Sequence, residues 1–325
     1  MTNQIEDAGR RQGRIDSPFG AKSTAREVLA GIDLTGRLVL MTGGYSGLGL
    51  EATRALTAAG AHVVVPARRP EAAREALADV PNTEVDELDL GDQASVAGFA
   101  ERFLAGGRDI HYTINSAAIM ANPYTTVGPG WESQFGTNHL GHFALVNRLW
   151  PAIRRGQGRV VSVSSSGHGR GGIQWDDLDF TRGYDKWRAY AQAKTANALF
   201  ARQLDQLAAG QGVRAFSVHP GGILTPLQRH LPKQEMVDLG WIDADGNQLA
   251  DFKTPEQGAA TQVWAATSAL LNGRGGVYLE DCTVAEVAPE SATTVASGVR
   301  PWAIDPAEAE RLWALSAERT GVNAF

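Results

Sequence analysis

The stretch Thr42-Gly43-Gly44-Tyr45-Ser46-Gly47-Leu48-Gly49 decides the fold of this chain. It follows a short apolar run, residues 37–42, and precedes a helical pattern over residues 46–59. A short apolar run predicts a buried strand, so the glycines occupy a turn from strand to helix. The bare N–H groups at a helix N-terminus attract phosphate, and glycine lets a pyrophosphate approach because it has no Cβ. The stretch therefore predicts the phosphate-binding turn of a dinucleotide site.

The same alternation of strand and helix continues along the chain. Six further strands are predicted, at residues 61–65, 83–88, 109–114, 159–164, 213–218 and 276–279. Helices are predicted between and after them, the longest over residues 131–154 and 187–208. This order predicts an α/β fold with a single doubly wound parallel sheet of the Rossmann type and helices on both faces.

One dinucleotide-binding and catalytic domain is expected over residues 23–325, preceded by a flexible arm over residues 1–22. Two long stretches, residues 167–186 and 225–253, do not fit the alternation. Loops of that length in compact domains are more often functional than idle, and both follow strands that end at the expected site. We expect both to be substrate loops.

The composition argues against several classes of function. A net charge of −6 argues against a nucleic-acid-binding surface, and no apolar stretch reaches the ~20 residues of a membrane span. Cys282 is the only cysteine, so neither an intrachain disulfide nor a cysteine-based metal site can form. No histidine has metal-ligand spacing with a partner, so no metal is expected. The expected location is a reducing cytoplasm.

The end of the second predicted strand, residues 63–69, indicates which dinucleotide binds. An acidic side chain there would accept a hydrogen bond from the adenosine ribose, but the stretch contains none. Arginine can instead neutralise a 2′-phosphate. We therefore predict NADP(H), with Arg68 as the main contact and NAD(H) as the weaker alternative. Asp89 can accept from the adenine amine, and Asn115 can tie neighbouring strand ends together.

Tyr190 and Lys194 stand one helical turn apart on a predicted helix. The pKa of a free tyrosine is about 10, and a nearby cation favours its phenolate form. The pair can therefore supply a general acid/base near neutral pH. Serines at residues 164–166 end the fifth strand, where one hydroxyl can bond a substrate carbonyl. Asn138 lies in a mostly apolar helical stripe and must find polar partners.

As a set these motifs resemble the short-chain dehydrogenase/reductase family. The resemblance is greatest to its retinol-dehydrogenase-like branch, which includes the WW-domain-containing oxidoreductases and plastid-envelope relatives. It covers roughly residues 23–279 and is strongest at residues 42–49, 115–118, 137–143, 159–165, 190–194 and 219–222. It implies that Asn138 holds a proton-relay water and that Ser165 polarises the carbonyl. It also implies that Tyr190 is the acid/base, while Lys194 binds the nicotinamide ribose and lowers the tyrosine pKa.

The cofactor contacts follow from the turn, the strand ends and the resemblance together. The resemblance implies that Pro220, Gly221, Ile223 and Thr225 hold the nicotinamide end. The residues expected to contact the cofactor are Gly43, Tyr45, Ser46, Gly47, Leu48, Gly49, Arg68, Asp89, Leu90, Asn115, Ala117, Tyr190, Lys194, Pro220, Gly221, Ile223 and Thr225.

The expected function is that of an NADP(H)-dependent oxidoreductase interconverting a carbonyl and a primary or secondary alcohol. Tryptophans in the two loops favour an apolar, medium-to-large substrate, contacted by His168, Trp175, Leu227 and Trp241. The alternative is a cofactor-binding redox sensor or scaffold without significant turnover. An extended-branch epimerase would need the spacing Gly-x-x-Gly-x-x-Gly, which the chain lacks. The expected partner is a small-molecule carbonyl or alcohol, and a homo-oligomer stays open.

Overall fold

The computed structural model describes residues 12–289 and 297–325. Within them the strands are β1 (Leu38–Thr42), β2 (His62–Ala67), β3 (Thr83–Glu87), β4 (Tyr112–Asn115), β5 (Thr126–Val127), β6 (Trp131–Glu132), β7 (Arg159–Val163), β8 (Arg214–His219), β9 (Val277–Glu280) and β10 (Thr283–Val284). Eight of them form one sheet in the order β10-β9-β8-β7-β4-β1-β2-β3. All neighbours are parallel except β9 and β10, so the predicted parallel sheet gains a short antiparallel edge strand.

Helices cover both faces of the sheet. The α-helices are α1 (Ala25–Val28), α2 (Gly47–Ala58), α3 (Pro70–Ala76), α4 (Gln93–Ala105), α5 (Ser133–Phe135), α6 (Gly141–Arg148), α7 (Trp150–Gly156), α8 (Lys186–Ala208), α9 (Lys233–Asp238), α10 (Pro255–Gly258), α11 (Ala260–Thr267) and α12 (Pro306–Thr320). One apolar core lies under α1, α2 and α11, and a second lies under α4, α6 and α8. The doubly wound arrangement is therefore confirmed. Among the described residues no helix combines the length and apolarity needed to cross a membrane.

Residues 131–154 do not form the single helix that the sequence predicts. Trp131 and Glu132 pair with β5, and the Glu132 carboxylate then accepts from the backbone N–H groups that open α5. A π-helix, Gly136–Leu140, separates α5 from α6. Helix α6 ends where Pro151, which has no N–H, opens the first turn of α7. Apolar periodicity reports burial and does not reveal these changes in backbone hydrogen bonding.

The predicted flexible arm needs correction over residues 12–22. Gln12 is buried, and its side-chain amide donates to the carbonyl oxygens of Tyr278 and Ala285 while accepting from the Tyr278 N–H. Further along, the Thr283 hydroxyl donates to the Ile15 carbonyl. Backbone groups near the last strands thus hold this segment in place. Residues 1–11 lie outside the described residues.

The C-terminal helix α12 packs across α8 and the π-helix. The rings of Trp313 and Phe200 stack with centroids 5.8 Å apart. The Ser316 hydroxyl donates to the Leu312 carbonyl, so Nε2–H of buried His139 donates to Ser316 Oγ at 2.7 Å. The helix that carries Tyr190 and the π-helix that carries Asn138 are therefore both supported by α12.

Candidate active site

A cavity of about 620 Å³ opens at the carboxyl ends of the central parallel strands. This edge is where ligands bind in open α/β sheets. The predicted residues that line it are Gly43, Tyr45, Ser46, Gly47, Leu48, Gly49, Arg68, Asp89, Leu90, Ala117, Ser165, Tyr190, Lys194, Pro220, Gly221, Ile223, Thr225, Leu227 and Trp241. Four predicted residues do not line it: Asn115, Asn138, His168 and Trp175.

The glycine turn needs glycine for the packing of the protein itself. Gly43 has a φ of +70°, and a Cβ there would lie 2.9 Å from the backbone nitrogen of Ala117. A Cβ on Gly49 would lie 2.2 Å from the carbonyl oxygen of Gly43. The turn therefore lies flat against the end of β4 and leaves the cavity side of its backbone uncovered. That shape and the start of α2 fit the pyrophosphate of a dinucleotide.

Thr42, and not Asn115 as the sequence suggested, links the ends of β1 and β4 by side-chain hydrogen bonds. Its Oγ1 accepts from the backbone N–H groups of Ser116 and Ala117 at 3.0 and 3.1 Å. The Asn115 amide is buried below the cavity, and neither of its polar atoms has a hydrogen-bond partner among the described residues. The side chain of Asn115 therefore lies inside the fold and does not line the cavity, and a contact of Asn115 with the cofactor stays a prediction. Thr42 ends the apolar run of residues 38–42, and this polar residue at the end of a strand was the sequence feature that could have identified its role.

Arg68 follows β2 and is exposed at the rim of the cavity, together with Arg69. No ion pair is formed by Arg68 within the described part of the chain. Asp89 and Leu90, after β3, line the same end of the cavity. A cationic rim next to a carboxylate acceptor suits the adenosine end of a dinucleotide.

The three serines after β7 have separate partners. Ser164 donates from its hydroxyl to the Lys194 carbonyl at 2.7 Å, and the Ser166 N–H donates to Nδ1 of His219 at 3.1 Å. Ser165 accepts at Oγ from the Gly167 N–H at 3.0 Å and lines the cavity together with Tyr190. Of the three serines, Ser165 is the one that lowers the pKa of Tyr190.

Tyr190 and Lys194 lie on α8 as predicted, and both are almost fully buried. The Lys194 ammonium donates to the Val163 carbonyl at 2.9 Å and lies 5.6 Å from the centre of the Tyr190 ring. Burial raises the pKa of Tyr190 to about 12, against a smaller lowering by the Ser165 hydrogen bond. Burial also lowers the pKa of Lys194 to about 7. In this structure Tyr190 is thus a neutral phenol, because burial dominates its pKa.

Asn138 lies one layer behind the cavity. Its side-chain amide bonds both backbone groups of Ile119, which lines the cavity. Its own carbonyl accepts from Nδ1 of His142, whose Nε2 is 2.8 Å from the Thr42 hydroxyl. Asn138 is therefore linked to the glycine turn through a histidine that the sequence analysis left without a role.

The end of the cavity next to Tyr190 is apolar. Met120, Ala121, Tyr190 and Leu231 form a buried cluster, against which Leu227 and Trp241 pack. Phe252, which the sequence did not single out, lines the cavity beside Trp241 with ring centroids 5.8 Å apart. The loop over residues 225–253 therefore supplies the apolar wall of the cavity, and its contact with a substrate stays a prediction.

The other predicted substrate loop, residues 167–186, contributes no lining residue. Trp175 instead donates from Nε1 to Glu308 at 2.8 Å, and the Arg311 guanidinium lies 3.9 Å from its ring centre, so it anchors α12. His168 is fully buried and hydrogen-bonded within the fold. The predictions that Trp175 and His168 face the substrate are wrong, because loop side chains of this length can pack inward as well as outward.

Comparisons with known proteins agree with this geometry. Residues 37–236 match the family described as short chain dehydrogenase. The chain is 44% identical over 297 residues to a "Probable oxidoreductase" of Streptomyces lividans, covering 88% of this chain and 98% of that protein. It is 35% identical over 299 residues to "Retinol dehydrogenase 12" of Homo sapiens, covering 90% and 88%.

A crystal structure of an uncharacterized protein from Mycobacterium paratuberculosis superposes with a TM-score of 0.71 at 33% identity, covering 94% of this chain and 99% of that one. Residues 37–236, the span that matches the family, contain the glycine turn, the end of β7 and the Tyr190–Lys194 pair. The chain is an enzyme that uses a nicotinamide dinucleotide, and it belongs to the short-chain dehydrogenase/reductase family, in its retinol-dehydrogenase-like branch.

Proposed function

We propose that this chain is an NADP(H)-dependent oxidoreductase interconverting a carbonyl and a primary or secondary alcohol on an apolar, medium-to-large substrate. One observation carries the proposal: the Tyr190 phenol and Ser165 line the same cavity as the glycine turn and Arg68. A proton donor and a dinucleotide cradle thus share one enclosed space. We also propose a reducing, cytoplasmic location on the basis of the buried free thiol of Cys282.

The cofactor is assigned to NADP(H) because of the charge at the adenosine end. The exposed guanidinium of Arg68 can bond a 2′-phosphate, and neighbouring Arg69 adds positive charge. Residues 43–49 would hold the pyrophosphate, and Pro220, Gly221, Ile223 and Thr225 would hold the nicotinamide end. The bound cofactor supplies the hydride, while the protein supplies orientation and proton transfer.

The residues around Tyr190 fit carbonyl reduction. A neutral phenol can give its proton to the oxygen of a carbonyl as negative charge develops there. Ser165 can donate a second hydrogen bond to that oxygen. Lys194, with a pKa near neutrality, can carry positive charge beside the phenolate that remains. The surrounding cluster of Met120, Leu231 and neighbouring rings keeps water from this proton.

The test is NADPH consumption by the purified protein with a panel of aliphatic and aromatic aldehydes and ketones. We expect steady turnover, and we expect Tyr190→Phe to lower kcat by about 10²- to 10⁴-fold, the usual size of a general-acid effect. Tyr112→Phe is the matched control, since Tyr112 begins the central strand β4, and the cavity lies at the other, carboxyl ends of the strands.

Two results would count against the proposal. Tight NADPH binding without turnover of any substrate would favour a redox sensor or scaffold. Equal rates for Tyr190→Phe and the wild-type protein would remove the phenol from the mechanism.

A further inference from the structure

The carbonyl oxygen of Ser165 accepts hydrogen bonds from two buried side chains that the proposed mechanism does not use. His168 donates to it from Nδ1 at 2.6 Å and from its backbone N–H at 3.1 Å. The Tyr278 hydroxyl donates to it at 3.1 Å. Three donors on one carbonyl at the end of a strand are far more than the backbone alone would provide, since β7 has already ended at Val163.

The tautomer of His168 follows from its partners. Nδ1 faces a carbonyl oxygen and must carry the proton, whereas Nε2 accepts from the backbone N–H of Arg300 at 3.0 Å. The ring is therefore neutral, in agreement with burial, which lowers its pKa to about 4. Both ring nitrogens are engaged, so the imidazole is fixed between the Ser165 peptide and the segment before α12.

Fixing this carbonyl also fixes the direction of the Ser165 side chain. Ser165 has an extended backbone with a ψ of 157°, and the chain turns into a 3₁₀ helix at the next residue. The same turn brings the Gly167 N–H to 3.0 Å from Ser165 Oγ, to which it donates, so the donors that hold the Ser165 carbonyl also hold the turn that orients Oγ. Displacements of about 1 Å in such groups can cost about 100-fold in rate.

We propose that His168, assisted by Tyr278, is a positioning residue that holds Ser165 in the orientation needed to bond the substrate carbonyl. The proposal rests on the proposed function, in which Ser165 donates to that oxygen. His168 does not line the cavity, so we expect it to affect turnover through the Ser165 carbonyl that it bonds.

The experiment is a double-mutant cycle on the full chain, read as kcat, substrate KM and NADPH affinity. His168→Asn places an amide N–H where Nδ1 stands and keeps the donor to Ser165, whereas His168→Gln places its amide nearer Nε2 and loses it. We expect His168→Gln to lower kcat by roughly 10- to 100-fold with unchanged NADPH affinity. We expect His168→Asn to stay within about threefold of wild type, and Tyr278→Phe to fall between the two.

The Ser165→Ala background separates positioning from general damage to the fold. There, His168→Gln is expected to change kcat by less than about twofold, because the side chain that His168 orients is gone. An equal loss in both backgrounds would overturn the positioning role. A large loss of kcat in Ser165→Ala with no loss in His168→Gln would overturn the positioning role and leave the proposed function intact. No loss in Ser165→Ala would overturn the assignment of Ser165, and the positioning role with it.

Discussion

Asn138 and Ile119 form a two-point clamp: Oδ1 of Asn138 accepts from the Ile119 N–H, and Nδ2 donates to the Ile119 carbonyl, each at 2.9 Å. Because Ile119 lines the cavity, Asn138 shapes its wall from behind. Asn138→Leu would leave both backbone groups without this partner, at about 1–3 kcal/mol for each buried group.

For Asn138→Leu we therefore expect the free energy of unfolding in urea to fall by about 2–5 kcal/mol, together with weaker NADPH binding. Asn147→Leu is the control, since Asn147 bonds backbone groups of Phe143 and Ala324 away from the cavity. That variant should lose stability but keep NADPH affinity. Equal NADPH affinities for Asn138→Leu and wild type would contradict the prediction.

Arg68 should decide the choice between the two nicotinamide cofactors. Arg68→Ala removes a charge-assisted contact worth about 1.5–3 kcal/mol, so KM for NADPH should rise about 10- to 100-fold. KM for NADH should stay nearly constant, because NADH carries no 2′-phosphate. Arg69→Ala is the matched comparison and should have the smaller effect. An unchanged ratio of the two KM values in Arg68→Ala would show that Arg68 is not the phosphate ligand.

Substitution of Trp241 should weaken substrate binding, whereas substitution of Trp175 should lower stability. Trp241→Ala removes part of the apolar wall. The lost apolar contact is worth about 1–3 kcal/mol (~25 cal/mol per Å² buried), so KM for bulky apolar substrates should rise about 10-fold or more. Trp175→Ala should leave kcat and KM unchanged and lower the melting temperature, because it removes the anchor of α12. Steady-state kinetics and thermal unfolding of both variants check this. A KM effect from Trp175 would restore it to the substrate site.

Buried histidines should make the fold sensitive to acid. Burial lowers the pKa of His142 and His168 to about 4, and that of His139 and His219 to about 3. In the unfolded chain each has a pKa of about 6.5. Unfolding therefore takes up protons below that pH, so stability is complete above it and falls as the pH drops towards the folded values.

The expected slope is up to ~1.4 kcal/mol per pH unit for each histidine. Urea unfolding at several pH values between about 7 and 4 measures it. His168→Asn removes one of the four groups and should give a shallower dependence. A free energy of unfolding that stays level over this range would contradict the assignment of neutral, buried rings.

Local chemistry explains which parts could be predicted from the sequence. Glycine spacing, a strand-ending arginine and a Tyr–Lys pair one helical turn apart each have a short-range physical meaning, and the structure brings Gly43, Arg68 and Tyr190 to one cavity. Trp175 and His168 could not be placed, because the direction of a loop side chain depends on partners far away in sequence. Trp175 meets Glu308, and His168 meets Arg300, more than a hundred residues later.

The same limit applies to backbone detail. The π-helix at Asn138 leaves the apolar stripe of its neighbours intact, so periodicity could not reveal it. His142 and Thr42 were visible as residues, but their contact joins positions 100 apart.

Because α12 supports α8 and the π-helix, its late synthesis determines when the catalytic end of the fold is completed. The ribosome makes every strand of the sheet, the glycine turn and the Tyr190 helix before it makes Pro306–Thr320. A nascent chain can therefore pair its strands while the surfaces around Phe200 and His139 still lack Trp313 and Ser316. Maturation of the catalytic end therefore waits for the last helix.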